Sequence, residues 1–137
     1  MFDDAKLTRA GRVIQSMTHG ASEAAGWWHD LKTGMDYIAE CRNGTRLGKA
    51  LVAEKLCLIH SEVSEAMEGH RKDLMDDKLP HRTAIEVELA DAVIRIGDLC
   101  GALDLDLGAA IVEKMAFNAS REDHKPEARA AAGGKAY

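Results

Sequence analysis

The sequence predicts an all-α protein, a helical bundle of about four to five helices. Ala, Leu, Glu, Lys and Met are plentiful, which favours helix. The chain of 137 residues has only two prolines, so little in it breaks a helix. Apolar residues recur at helical spacing over long stretches, and no segment reads as a convincing strand. The length suits one domain, drawn over residues 1–121 and followed by a flexible C-terminal tail over 122–137. Helices this few and short rarely close a core alone, so completion by homo-oligomerisation is expected.

The first helix is expected from about Asp3 into Trp28, with Gly11, Gly20 and Gly26 as points where it can break. From His29 to Gly44 the chain is mixed, and Asn43-Gly44-Thr45 reads as a turn that starts the next helix. That second helix runs from about Thr45 to Lys72, and the polar segment Asp73 to Pro80 is a loop. Thr83, three residues before Glu86, suggests a capping box at the start of a third helix ending near Gly101. Leu103 to Asp106 is a short connection with capping aspartates, and a fourth helix follows from about Leu107 to Arg121. The tail holds Pro126, an alanine run and Gly133-Gly134.

Composition narrows the function classes. No apolar run reaches the roughly 20 residues of a membrane span, and Met1 to Ala10 lacks the apolar core of a secretion signal. Cys41, Cys57 and Cys100 are odd in number and widely spaced. That argues against a disulfide framework or a zinc site and fits the cytoplasm. A net charge of −5 disfavours nucleic-acid binding but not a metal-bound phosphate ester.

On a helical wheel the second helix places Leu47, Leu51, Glu54, Leu58, Glu62 and Glu65 within roughly 40° of one line. A second apolar stripe, Val52, Leu56, Ile59, Val63 and Met67, lies roughly 100–180° away. Glu62 and Glu65 therefore continue an apolar line. On the third helix Glu88 falls between Ala84, Ala92 and Leu99, with Asp91 roughly 60° to one side. Carboxylates three residues apart are common on solvated faces, but here two helices each aim a pair inward. Buried like charges raise each other's pKa and are costly without a counter-charge. A divalent cation supplies it, and all-oxygen ligands suit Mg2+, with Mn2+ as an alternative. A di-iron bundle would need Glu-x-x-His pairs, which the sequence lacks.

On the fourth helix Lys114, Asn118 and Arg121 lie within roughly 40° of one another. Cations are favoured at any helix C-terminus, yet a lysine, an amide and a guanidinium on one face also match a polyphosphate.

The stretches Ile59 to Arg71, Glu86 to Asp91 and Lys114 to Arg121 together resemble the MazG-like nucleotide pyrophosphohydrolases. Their ordered signature is ExxE, a variable spacer, ExxD, and a later helix carrying Lys, Asn and Arg. The similarity covers roughly Leu47 to Arg121, more than half of the chain. It implies a homodimer or homotetramer that cleaves a nucleoside triphosphate between its α- and β-phosphates, giving a monophosphate and pyrophosphate. By that resemblance Glu62, Glu65, Glu88 and Asp91 hold Mg2+, and Lys114, Asn118 and Arg121 contact the phosphates. A carboxylate not fully used as a ligand accepts the proton of the attacking water, with Glu62 and Glu65 both open as that base. Trp27 and Trp28 resemble a tryptophan segment of some small members, where one ring can stack on a base; both can equally pack in a core or interface. His60 points roughly 160° from Glu62, which favours a non-catalytic role. Competing readings are a non-catalytic helical module that binds Mg2+-nucleotide, and a metal-dependent phosphohydrolase of another phosphate ester.

Overall fold

In a computed structural model the described residues are 3–135. The fold is all-α. Its elements are α1 (Asp4–Ala24), α2 (Tyr37–Arg42), α3 (Arg46–Arg71), α4 (Ala84–Ala102), α5 (Leu107–Ser120), a 3-10 turn (Glu122–His124) and α6 (Pro126–Ala130). Among the described residues there is no strand, only isolated bridges between His29 and Asp36 and between Met75 and Thr83. No helix among them is long and apolar enough to cross a membrane. The chain forms two compact units, Val13–Leu105 and a terminal one in which the residues before Val13 join those from Asp106 onward.

In the terminal unit, Gly11 is a packing site rather than a break. A Cβ there would stand 2.6 Å from the Gly108 Cα, and one on Gly108 would stand 2.2 Å from the Thr8 carbonyl oxygen. Two glycines thus let the backbones of α1 and α5 touch, which no larger residue permits. Asp106 caps α5 by accepting from the Ala109 amide at 3.0 Å, and the same carboxylate takes the Arg12 guanidinium. The segment after Arg121 carries two short helical pieces, the 3-10 turn and α6.

In the central unit, α1 runs unbroken through Gly20 and stops at Ala24. Gly26 supplies the left-handed residue (φ +81°) that ends it, while the Trp27 amide donates to the Ser22 carbonyl. Asp36 starts α2, accepting from the Ala39 amide. Asn43 ends it, Gly44 turns the chain (φ +64°), and the Thr45 hydroxyl caps α3 at the Gly48 amide. The expected capping box at Thr83 does not form. Thr83 occupies the N-cap position without a side-chain bond; the Glu86 amide donates to the Thr83 carbonyl at 3.1 Å, and the Glu86 carboxylate pairs with Arg82.

The core of this unit gathers Trp28, Cys41, Leu99 and Ala102, with Ile38, Leu51, Val52 and Ile59 packed on it. The second apolar stripe of α3 divides. Val52 and Ile59 join the core, whereas Leu56, Val63 and Met67 stay exposed, as do Leu89 and Val93 of α4. One patch of the hairpin formed by α3 and α4 is therefore apolar and uncovered.

Candidate metal centre and adjoining cleft

Small residues bring α3 and α4 close enough for their acidic side chains to meet. Ala66 and Gly69 share a face with Glu62, and Ala84 and Ala92 share one with Glu88. All four are buried. A Cβ on Gly69 would stand 2.7 Å from the Ala84 Cβ, so the helices nearly touch one turn from Glu65. At this approach Glu62, Glu65 and Glu88 converge, with one carboxylate oxygen from each lying within 4.8 Å of the others.

The three acids are not equivalent. Glu62 is buried, Glu88 half-buried and Glu65 exposed. Burial pushes the Glu88 carboxyl up to about 7, reinforced by a hydrogen bond with Glu62 and by the charges of Glu65, Glu62 and Asp91. Glu88 thus titrates near neutrality, which lessens the like-charge repulsion among the three acids. The residual charge of Glu62 is met by Arg95, whose Nε lies 2.7 Å from Oε1.

Asp91, expected as a fourth member, does not enter this group. Its side chain is one methylene shorter than glutamate and leaves α4 roughly 60° from the Glu88 line. It lines instead a cleft of about 460 Å³, together with Arg95, Trp27, Trp28, Tyr37 and Lys55. Glu65 and Glu88 border a separate shallow pocket that includes Asp76 and Asp77.

The two tryptophans have different fates. Trp28 is 0% exposed. Its Nε1 donates to Asp98 at 2.7 Å, and the Lys55 ammonium lies 4.4 Å from its ring centroid. Such a ring has no open face to offer a base. Trp27 is 69% exposed and lines the cleft, so it is the one available for stacking. Asp98, which the sequence reading did not single out, is buried and takes three donors: Trp28, Ser22 Oγ at 2.9 Å and His19 Nδ1 at 2.9 Å. This network fixes the wall of the cleft.

Lys114, Asn118 and Arg121 belong to the terminal unit. Lys114 lies over the Phe117 ring, and Arg121 is the residue that ends α5. The Arg121 guanidinium is engaged by Asp123 through Nε at 3.0 Å and NH2 at 2.7 Å, and Lys135 reaches the same carboxylate. These bonds hold the Asp123 carboxyl well below the usual range, with Arg121 as the larger cause. His60 is exposed.

Arg95 could have been found in the sequence. It lies seven residues after Glu88, and seven residues return to within roughly 20° of the same line. Asp98 stands in the same relation to Asp91. No pattern of spacing announces His19 or Ser22, because they meet Asp98 only in three dimensions.

No known family model, curated protein or solved structure matches this chain.

Proposed function

We propose that the protein is a Mg2+-dependent nucleoside triphosphate pyrophosphohydrolase. The observation that carries this reading is the convergence of Glu62, Glu65 and Glu88 from two helices. Their chemistry fits the cation. All donors are oxygens, and one ion at about 2.1 Å from each needs donor separations of up to about 4.2 Å, compatible with three oxygens that lie within 4.8 Å of one another. A bound divalent ion would neutralise the triphosphate and stabilise charge on the transferring oxygens.

The chain's own residues then divide the work. Glu62, Glu65 and Glu88 would hold the cation, with Asp91 as a further proposed ligand. Of the two candidate bases, Glu65 is the one open to water, so it takes the proton of the attacking molecule. Trp27 and Tyr37 offer aromatic surface for a base in the adjoining cleft. The Lys114, Asn118 and Arg121 face remains the proposed phosphate grip, with the Arg121 fork exchanging Asp123 for a phosphate.

The exposed Leu56, Val63 and Met67 of α3, beside Leu89 and Val93 of α4, are proposed to meet a second copy of the chain. Three free cysteines suit a cytoplasmic setting, which is proposed with them.

The test is turnover of a panel of dNTPs and NTPs with Mg2+ and then with chelator. Nucleotide loss in Mg2+ that stops with chelator and with Glu65→Gln supports the reading. Loss that persists in Glu65→Gln at the wild-type rate rejects the assigned base, and loss that ignores chelator rejects the metal.

A further inference from the structure

Arg95 stands where the carboxylate cluster meets the cleft. Its Nε holds the buried Glu62, yet its side chain is 42% exposed and lines the cleft with Trp27, Tyr37 and Lys55. No other ion pair to Glu62 is found among the described residues. A carboxylate this buried needs a counter-charge, and Arg95 provides one. A divalent ion shared by Glu62, Glu65 and Glu88 would place a larger charge at shorter range and displace the guanidinium. Arg95 would then be a free, planar donor lining the cleft, suited to a phosphate oxygen.

We propose that Arg95 is an exchange residue: it occupies Glu62 while the site lacks a divalent cation, and turns to a phosphate group of the nucleotide once the cation takes Glu62. The proposal rests on the pyrophosphohydrolase reading of the site. Its consequence is that Arg95 opposes binding of the metal alone and favours binding of metal and nucleotide together, a positive coupling between the two ligands.

The alternative role, a fixed positioning residue that keeps Glu62 oriented, predicts the opposite sign for the metal. The experiment is calorimetric titration of wild type, Arg95→Gln and Arg95→Lys, first with Mn2+ alone and then with an α,β-methylene dNTP in Mg2+. Exchange predicts that Arg95→Gln binds Mn2+ several-fold tighter and the analogue roughly tenfold or more weaker, the scale of one lost charge-assisted hydrogen bond. Arg95→Lys keeps the charge without the fork and falls between the two in both titrations. Weaker or unchanged Mn2+ binding in Arg95→Gln overturns the proposal, as does analogue binding equal to wild type. In those cases the pyrophosphohydrolase reading stands; a wild type that binds Mn2+ but no analogue overturns both.

Discussion

The raised pKa of Glu88 converts into a stability profile that one substitution isolates. In the folded chain its carboxyl is pushed from the usual 4.5 to about 7, burial being the largest cause. Between those values the folded state binds more protons than the unfolded state, so stability falls as pH rises through that window. A shift of about 2.5 units corresponds to a ceiling of about 3 kcal/mol. Glu88 is only half-buried, and solvent screening reduces this to about 1–2 kcal/mol. Glu88→Gln keeps a neutral hydrogen-bonding group at every pH. Urea unfolding with chelator at about pH 5 and about pH 8 is the assay, with the difference between wild type and variant as its readout. The two proteins should be close at the lower pH, and the variant more stable by about 1–2 kcal/mol at the higher one. Saturating Mg2+ should reverse the order, because the ion stabilises the form that binds it. A difference independent of pH would refute the claim that Glu88 carries the proton of the cluster.

Trp27→Ala should raise the KM for nucleotide with little change in Tm, since the ring is exposed, as steady-state kinetics beside thermal melting will show. Trp28→Phe should instead cost about 1–3 kcal/mol in urea unfolding, because it strips one donor from the buried Asp98. Val63→Glu with Met67→Glu should shift sedimentation from a dimer or tetramer to a monomer, and a monomeric wild type would remove the proposed interface. Gly108→Ala should destabilise by about 1–3 kcal/mol through its clash with the Thr8 carbonyl, whereas the same change at Gly20, with nothing within 4 Å, should be neutral or stabilising.

What the sequence disclosed follows from which interactions are local. Helical periodicity, the Asn43-Gly44-Thr45 turn and the Asp106 cap depend on residues a few positions apart, and each appears where the pattern places it. The inward line of α3 was legible only in part: Glu62 is buried on it and Leu51 and Leu58 are half-buried, whereas Leu47, Glu54 and Glu65 are exposed. The failures are tertiary. Gly11 reads as a weak point in a helix until Gly108 is brought against it. The Thr83 capping box does not form: the Glu86 amide donates to the Thr83 carbonyl and the Glu86 carboxylate pairs with Arg82. Asp91 leaves α4 about 60° from Glu88 and lines the cleft while Glu62, Glu65 and Glu88 converge, so its part as a fourth ligand stays a proposal. The wheel could have flagged Arg95, whereas the Asp98 network joins α1, the following loop and α4 across 70 to 79 residues, beyond any local pattern.

The measurement that tests the central claim most directly is phosphorus NMR of a dNTP incubated with the wild-type protein in Mg2+. Cleavage at the α–β bond predicts the growth of monophosphate and pyrophosphate resonances in equal amounts. Growth of a nucleoside diphosphate and orthophosphate, or an unchanged triphosphate spectrum, would contradict it.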